Sequence, residues 1–530
     1  MKDILQIPRK ELGLFSEQDL DFVYHQEKLK DFIGLPFSIE NFQSQIEFKQ
    51  KLYTNEARFT LATVLEERYK CVKNNNRALE QITHLKDSNT YTVTTGHQLC
   101  VLGGPMYFFL KIIHVIKLSE RLNKHYPNQH FIPVFWMASE DHDYAEIDHL
   151  NLFNKTFQWN HEQKGPVGRF TTKNLSSLFE EISLLYKDDQ LQELQHIFDS
   201  FQGKTYGEAF MNWLHGLFSE KGLLIIDGDQ NKLKQSFTPL MEKELSHEFS
   251  NQQIQGVNQK LTEQKRKIQL HSREINLFYI NGNERTRIVK KGNDYVIGSR
   301  KMNLQDTIKH LKDYPENFSP NAALRPLYQE HLLPNLCYVG GMAEMHYWSQ
   351  LKGVFIQSNI PFPLIQMRSN LLWIKETWSK KMKKAKLTEN DLFRDIDTLK
   401  KSFVDKEDLY PIQQEKLNSG LSEIKSSLRS SITNHRELNQ WMGSELKKIE
   451  KSIDQIKNRI NREKKKSFDI ELSRVEKIKE ALFPNGALQE RYVNPLELSN
   501  NIGYIDFLEQ LFSVIDPVNE RFTVVSQNIK

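Results

Sequence analysis

Residues 131–143, FIPVFWMASEDHD, decide the fold class of this chain. An apolar run that begins at Phe131 ends at Ala138, and ionisable residues follow Ser139 at once. They are Glu140, Asp141, His142 and Asp143. An unbroken run of aromatic and aliphatic residues predicts a strand buried on both faces of a parallel sheet. Open α/β sheets bind ligands beyond the carboxyl ends of their strands, so the four ionisable residues are predicted to be catalytic. The alternative is a polar loop that caps the next helix.

The preceding segment predicts the neighbouring strand. Residues 91–95, YTVTT, are rich in β-formers, and Gly96, His97 and Gln98 end the run. Residues 103–105, GGP, then open an amphipathic helix that extends to Leu122. A strand, a helix and the strand at residue 131 make a crossover unit, which places the two strands parallel in one sheet.

Further apolar runs predict more strands of this sheet. They are residues 222–227, residues 334–339 and residues 361–365, the last with Arg368 at its end. Residues 150–220 mix strand and helix patterns, and residues 255–315 include a predicted antiparallel meander around Gly282 and Gly292. We interpret both segments as insertions into the sheet domain.

The character of the chain changes near residue 372, where lysine-rich helical sequence begins. Apolar residues then recur at alternating steps of three and four, which predicts a long coiled-coil helix that pairs subunits. The residues of this seam are Leu417, Leu421, Ile424, Leu428, Ser431, His435, Leu438, Met442, Leu446, Ile449, Ile453, Ile456 and Ile460.

These patterns predict an α/β protein with four parts. Residues 1–88 form a helical arm packed on the core, and residues 89–371 form a parallel-sheet core that carries the two insertions. Residues 372–482 form the helical coiled coil, which makes the protein a homodimer. Residues 483–530 dock back on the core. A chain of 530 residues is too long for one hydrophobic core, which agrees with this division.

Composition narrows the class of protein. The net charge of +4 rests on 72 basic and 68 acidic side chains, so no basic stripe for nucleic acid is expected. The three cysteines form no CxxC pair, which argues against a disulfide framework and a cysteine zinc site. No apolar stretch is long enough to span a membrane, and no signal peptide is evident. A cytoplasmic enzyme without nucleic-acid or membrane partners is expected.

The first predicted site combines Gly96, His97 and Gln98 with the helix that opens after Pro105. A glycine at a strand end lets the backbone approach a ligand, and a helix amino terminus attracts anions. His97 would add a donor or general acid that titrates near neutral pH. Neither GxGxxG nor a P-loop is present. Glu140, His142, Glu146 and His149 give a weak metal signal, because the two histidines are seven residues apart without a cysteine or a helical HExxH, so no metal is predicted.

A second group of predicted substrate-binding residues follows at residues 321–347. Arg325 is a bidentate binder for carboxylate or phosphate if it faces the cleft, and paired glycines end the strand at residues 334–339. The members of this group are Arg325, Gln329, Gly340, Gly341, Glu344 and Tyr347. Taken alone, Arg325 is better explained by a structural ion pair, whereas together with the glycine pair the two interpretations are equally supported.

Residues 482–491 are interpreted first as a hinge, since Pro-Asn-Gly makes a sharp turn. The alternative is a second nucleotide site formed by Asn485, Gly486, Gln489 and Arg491.

Six motifs occur in order along the chain and resemble the BshC family of bacillithiol biosynthesis. They are TTGHQ (94–98), GGP (103–105), PVFWMASEDHD (133–143), FSPNAALRPLYQE (318–330), LPNLCYVGGMAEMHYW (333–348) and LFPNGALQER (482–491). The resemblance implies a Rossmann-like core similar to nucleotidyltransferases and class I aminoacyl-tRNA synthetases, with two insertions and a dimerising coiled coil. Gly96-His97-Gln98 then stands where those synthetases carry their HIGH-type signature.

The resemblance also implies a reaction, the joining of the L-cysteine carboxyl to the amine of glucosaminyl-malate, which gives bacillithiol. If ATP activates cysteine as an adenylate, His97 and backbone N–H groups would stabilise charge on the phosphate. Glu140 or Asp143 would hold an ammonium or deprotonate the attacking amine, and Arg325 would clamp the malyl carboxylates. One alternative is a nucleotidyltransferase-like enzyme that activates another small acid. The other is a non-catalytic, nucleotide-binding dimeric scaffold that assists a separate cysteine ligase.

Overall fold

The computed structural model describes residues 2–406, 414–432, 436–500 and 502–527. One compact unit contains the chain up to Trp373 together with Ala487–Ser526, and a second contains Ile374–Gly486. No helix within the described ranges has the length and apolarity that a membrane crossing would need.

Strands and helices are numbered along the chain. The strands are β1 (Lys2–Pro8), β2 (Thr90–His97), β3 (His130–Met137), β4 (His149–Leu152), β5 (Lys155–Gln158), β6 (Leu224–Asp227), β7 (Leu277–Asn281), β8 (Glu284–Arg287), β9 (Val289–Lys291), β10 (Asp294–Ile297), β11 (Arg300–Asn303), β12 (Phe318–Pro320), β13 (Asn335–Gly340), β14 (Leu364–Met367), β15 (Leu371–Ile374) and β16 (Arg521–Gln527).

The α-helices are α1 (Glu17–Tyr24), α2 (Asn41–Leu52), α3 (Asn55–Tyr69), α4 (Asn76–Leu85), α5 (Tyr107–His125), α6 (Leu175–Ser183), α7 (Asp188–Ser200), α8 (Tyr206–Phe218), α9 (Asn231–His247), α10 (Phe249–Glu263), α11 (Leu304–Asp313), α12 (Arg325–Leu332), α13 (Met342–Ser349), α14 (Lys352–Gln357), α15 (Glu376–Lys384), α16 (Ile396–Lys406), α17 (Gln414–Ser430), α18 (Arg436–Ser467), α19 (Asp469–Leu482), α20 (Pro495–Leu498) and α21 (Tyr504–Val514).

The core of the first unit is a five-stranded sheet with the order β14-β13-β2-β3-β6. All four neighbouring pairs are parallel, so the parallel-sheet prediction is confirmed. The chain fills one side of the sheet first with β2, β3 and β6, and then returns to the middle to add β13 and β14. This reversal of strand order places a switch point between β2 and β13, where such sheets open a ligand crevice.

Burial explains why these segments form the sheet. Every residue of β13 and β14 is buried, and β3 is buried from Phe131 onward. Helix α5 connects β2 to β3 and packs on the sheet through a buried surface that includes Phe108, Ile112 and Val115. An apolar strand covered on both faces is the pattern of a parallel α/β core.

The first insertion mixes strand and helix and the second is antiparallel, as their sequence patterns predict. The first begins with the hairpin β4–β5 and continues with α6 and α7. The second holds two three-stranded antiparallel sheets, β12-β7-β8 and β11-β10-β9. The predicted meander is therefore divided between two sheets, because the chain changes partner at Ile288.

The amino-terminal arm differs from its prediction, because it begins with a strand. Strand β1 pairs within the sheet β1-β16-β15, and helices α1 to α4 follow it. The sequence 2–8, KDILQIP, has too few alternating apolar residues to be recognised as a strand on its own. Its partner β16 lies more than 500 residues away, so only the tertiary fold brings the pairing about.

The second unit is helical and contains α15 to α19. The predicted single long helix is wrong in one respect, since the seam is divided between α17 and α18. An ion pair between Lys425 and Glu450 joins these two helices. Ser430 and Ser431 stand at the end of α17, and serine is a poor former of helix interiors, which explains why α17 ends there. His435 of the predicted seam lies outside the described residues.

A buried histidine makes the stability of the first unit sensitive to acid. Burial, with help from the charges of Arg9 and Arg368, lowers the pKa of His114 to about 4. Its Nδ1 accepts the Ser369 backbone N–H at 3.1 Å, so its Nε2–H donates to Gln366 at 2.9 Å. The neutral ring is therefore part of the fold.

We expect the free energy of unfolding to fall as the pH drops from about 6.5 to about 4. Over that range the unfolded chain binds a proton at His114 that the folded chain excludes, which costs up to about 3 kcal/mol. Urea titrations at pH 7 and pH 4.5 measure the loss, and it should be smaller in His114→Gln. An equal loss in the variant would contradict this cause.

Candidate active site

A cleft of about 900 Å³ opens at the carboxyl edge of the parallel sheet. All five strands reach it through the residues at or just after their ends. The contributing residues are Gly96–Gln98 after β2, Met137–His142 after β3, Gly228 after β6, Gly341–Glu344 after β13 and Arg368 after β14. The predicted convergence of distant loops at one edge of the sheet is therefore present.

His97 lies at the end of β2 and is held by two hydrogen bonds. Its Nδ1–H donates to the Gln98 carbonyl at 2.9 Å, so its Nε2 accepts the Tyr107 hydroxyl at 2.9 Å. Burial and the nearby Lys111 charge lower the pKa of His97 to about 4. The expectation that His97 titrates near neutral pH is wrong. A neutral imidazole at physiological pH accepts and orients the Tyr107 proton and is no general acid.

Asp141 is the carboxylate of the acidic segment that is best placed for a ligand. Its Oδ2 accepts the Gln98 amide at 2.8 Å and its Oδ1 accepts the His142 backbone N–H at 2.8 Å. Although burial opposes ionisation, these bonds and the Arg285 charge hold the pKa of Asp141 well below its usual range. Asp141 is thus an anion throughout the physiological range, which suits an anchor for a cation better than a general base.

The other three ionisable residues after β3 have different surroundings. Glu140 lines the cleft and pairs with the buried Lys234 at 2.7 Å, and His142 lines it and accepts Arg285 at 3.1 Å. Asp143 is exposed, does not line the cleft, and precedes the short helical turn Tyr144–Glu146. Of the four ionisable residues predicted at the site, Glu140, Asp141 and His142 line the cleft and Asp143 does not.

Arg285 comes from the second insertion and closes the cleft opposite β3. Its guanidinium lies 4.0 Å from the Phe278 ring centroid and donates to Ser319 and to the Pro320 carbonyl at 3.1 Å. His271, Arg273 and Arg287, on the same insertion, also line the cleft and are exposed. This wall is consequently basic.

Glu344 and Lys111 form a buried ion pair at the end of β13. Glu344 also accepts the Gly341 backbone N–H at 2.7 Å and the Tyr338 hydroxyl at 2.5 Å. Burial disfavours its charge, but Lys111 and these donors together lower the pKa of Glu344. Lys111 donates to the Gly96 carbonyl at 2.9 Å as well, so the pair ties β2 to β13 at the switch point.

Arg325 begins helix α12 and donates to the Tyr347 hydroxyl at 2.8 Å. Both residues line the cleft, as their prediction required. Within the described ranges the guanidinium forms no ion pair with a carboxylate, so its positive charge is available to a ligand.

Arg368 follows β14 and is held in place by Glu490. Its Nη2 donates to Glu490 at 2.8 Å and its Nη1 to the Ser369 carbonyl at 2.9 Å. Glu490 is fully buried and also accepts the Asn370 amide and the Leu371 N–H at 2.7 Å. The segment that returns from the second unit thereby fixes a cleft arginine.

Two predicted substrate-binding residues, Gln329 and Gly340, do not line the cleft, and the predicted second nucleotide site is divided between the two units. Gln329 is buried and donates to Glu330 at 3.0 Å, and Gly340 packs against Met345 and Tyr338. Of the hypothetical second nucleotide site, Asn485 and Gly486 belong to the second unit, while Gln489 and Arg491 belong to the first. Gln489 is buried and pairs with the Trp373 backbone, and Arg491 lines the cleft.

The sequence reading missed Tyr107, Lys111, Arg285 and Arg368 as cleft residues. A signal existed for Lys111, which is the single charge in the apolar run 108–116, FFLKIIHVI. The backbone that leads into helix α5 is already hydrogen-bonded within the protein. Asn494 donates to the Leu102 and Gly104 carbonyls, and the Met106 N–H donates to the Val493 carbonyl. Among the described residues no cluster of three metal-ligating side chains occurs.

Comparison with known proteins covers almost the whole chain. A family model described as the N-terminal Rossmann-like domain of bacillithiol biosynthesis BshC matches residues 5–369. A second, described as the C-terminal coiled-coil domain of the same protein, matches residues 371–527. The predicted Rossmann-like core and coiled coil are thus confirmed.

Full-length relatives point the same way. A protein of Flavobacterium johnsoniae is 33% identical over 527 residues, covering 97% of this chain and 98% of its own length. One from Cytophaga hutchinsonii is 33% identical with 95% of each chain covered. A Bacillus cereus protein is 27% identical over 88% of this chain and 90% of its own. Each of the three carries the name of a proposed cysteine ligase, BshC.

Proposed function

Because the chain belongs to the BshC family, we propose that it is a ligase that adds L-cysteine to glucosaminyl-malate in bacillithiol biosynthesis. The bond formed is an amide between the cysteine carboxyl and the glucosamine nitrogen. The single observation that carries the proposal is the cleft at the switch point, which both carboxylates and arginines line.

The charges of the cleft match the charges of these substrates. Cysteine brings an ammonium, which the ionised Asp141 attracts together with Glu140. Glucosaminyl-malate brings two carboxylates, which Arg325 and Arg368 attract from the β13–β14 side. Charge complementarity of this kind orients two reactants and raises their effective concentration.

The protonation states of Asp141 and Tyr107 limit what each can do in the reaction. Asp141 has too low a pKa to take a proton from an amine, so its role is to hold charge. Tyr107 donates to His97, and burial raises the pKa of Tyr107 to about 12, so its hydroxyl stays protonated. The phenol oxygen is therefore kept with a fixed orientation at the floor of the cleft.

Joining a free carboxylate to an amine needs an activating co-substrate, and ATP is the proposed one. ATP would supply a leaving group on the cysteine carboxyl. The residues that fit its phosphates are the arginines of the basic wall, Arg273, Arg285 and Arg287, because arginine matches phosphate geometry. No metal is part of the proposal.

The test is an assay of the purified protein with cysteine and glucosaminyl-malate, with and without ATP. Mass spectrometry should detect bacillithiol only when all three are present, with one nucleotide product per thiol formed. Pyrophosphate exchange that depends on another small acid instead of cysteine would replace this proposal with the nucleotidyltransferase alternative.

The second unit is proposed to pair two copies of the chain. Helix α18 buries Met442 and Leu446, but Ile449 is 42% exposed and Ile456 is 61% exposed. Both isoleucines belong to the heptad seam, which in a coiled coil is covered by a partner helix. A second copy offers the same seam, and a two-fold axis would bury both.

We expect the wild-type protein to have twice the chain mass of 62.5 kDa in solution. Ile449→Glu with Ile456→Glu should give a protein of 62.5 kDa, because a buried unpaired carboxylate opposes the interface. Light scattering after gel filtration measures the mass. Ser444→Glu adds one negative charge on a different face of α18, and this variant should remain dimeric. A wild-type monomer would remove this part of the proposal.

A further inference from the structure

The side chain of Arg368 has one hydrogen-bond donor that the fold leaves unused. Arg368 is 2% exposed and lines the cleft. Its two terminal nitrogens are engaged by Glu490 and the Ser369 carbonyl, and its guanidinium carbon lies 5.2 Å from the Tyr107 ring centroid. Its Nε is buried and has no hydrogen-bond partner among the described residues. An unsatisfied buried donor destabilises the fold, and more so on a charged group, so a fixed guanidinium with a spare N–H is a binding element.

Gly341 leaves the position beside this donor without a side chain. A Cβ built on Gly341 would stand 4.0 Å from Arg368 Nε and 3.4 Å from a Glu344 carboxylate oxygen. The backbone of Gly341 has φ −80° and ψ 170°, which any L-residue adopts. The glycine is therefore not required by its conformation, and its effect is to leave room where a side chain would otherwise project.

The charges at this corner favour an anion. Three cations surround it, Lys111, Arg325 and Arg368, against two carboxylates, Glu344 and Glu490. Glu344 already accepts from Lys111 and Gly341, and Glu490 from Arg368, Asn370 and Leu371. This count leaves one positive charge in excess, and Arg325, which forms no salt bridge within the described ranges although the Glu344 charge acts on it, lies on the cleft.

We propose that the space between Gly341 and Arg368 Nε is an oxyanion subsite, with Arg325 as a second contact and Glu490 as the residue that positions Arg368. Resting on the proposed function, we assign it to a carboxylate of the malyl group. A phosphate oxygen has the same chemistry and is the other source to be distinguished.

The sharpest variant is Gly341→Ala. Its methyl group makes ordinary van der Waals contacts, so the fold should be kept, but it occupies the subsite. By isothermal titration without turnover, we expect the dissociation constants of glucosaminyl-malate and L-malate to rise tenfold or more. The dissociation constants of cysteine and ATP should stay within twofold of the wild-type values. Gly256→Ala is the matched control, because its added Cβ meets nothing within 4 Å and Gly256 lies outside the cleft.

Other outcomes are equally decisive. Gly341→Ala could instead bind inorganic phosphate and ATP more weakly and bind malate as wild type does. That result would keep the oxyanion subsite and overturn its assignment to the malyl group. Unchanged binding of all these probes in a folded Gly341→Ala protein would overturn the subsite. If wild type makes no bacillithiol and Gly341→Ala still loses malate binding, the proposed function fails while the subsite stands.

A second variant tests the positioning role of Glu490. In Glu490→Gln the amide retains one acceptor but loses the charge that holds Arg368. We expect weaker malate binding, by about threefold to tenfold, with cysteine binding unchanged. Equal weakening of both ligands would indicate a general structural effect and contradict the role.

Discussion

Replacing Asp141 by asparagine should lower kcat/KM for amide formation by about 10²- to 10³-fold. Removing one partner of a hydrogen-bonded charge pair costs about 2–5 kcal/mol, and each 1.36 kcal/mol is a factor of ten. Asp141 is held as an anion over the physiological pH range by Gln98, the His142 backbone and the Arg285 charge. Asparagine keeps the shape of the side chain, removes the charge and replaces one acceptor oxygen by an NH2 donor, so one of these two hydrogen bonds is lost as well.

The matched comparison is Asp143→Asn. Asp143 lies two residues further along, is exposed and does not line the cleft, so this variant should stay within threefold of wild type. Steady-state kinetics with both substrates measure the effect, and circular dichroism verifies that the variants are folded. Full activity of Asp141→Asn, or an equal loss in both variants, would remove Asp141 from the proposed mechanism.

Replacing Glu490 by alanine should lower the free energy of unfolding of the first unit by about 3–5 kcal/mol. Breaking a buried ion pair leaves an uncompensated charge, here on Arg368, which is the costly case. The Asn370 amide and the Leu371 N–H lose their acceptor at the same time. Arg9 also donates to Asn370 and to the Arg368 carbonyl, so the amino-terminal arm is coupled to the same carboxylate.

Urea unfolding monitored by tryptophan fluorescence measures this loss, and hydrogen exchange over Leu364–Ile374 localises it. The control is Glu67→Ala, which breaks an ion pair to Lys232 in which both side chains are 56% exposed. That change should cost less than about 1 kcal/mol, because water screens an exposed pair. Similar losses in the two variants would contradict the importance assigned to the buried network.

Much of the fold could be predicted because strands β3, β6 and β13 are apolar runs that end in polar or glycine residues. Each such ending marks the carboxyl edge of the sheet, and parallel pairing brings those edges together. The prediction of Gly96–Gln98, Glu140–His142 and Gly341–Glu344 at the cleft follows from this rule. Strand β1 and the break between α17 and α18 were missed, because short or interrupted patterns carry little local signal.

The amino-acid sequence by itself determined the parallel sheet, the coiled-coil seam and the edge at which the cleft opens, since hydrophobic periodicity is a local property. Only the tertiary structure decided the electrostatic state of the cleft. Arg285 meets His142, Lys111 meets Glu344 and Arg368 meets Glu490, and the two residues of each pair are at least 122 apart in sequence number. A charged residue in a sequence does not reveal its partner or its burial, and these two quantities set whether it holds a ligand, a proton or the fold.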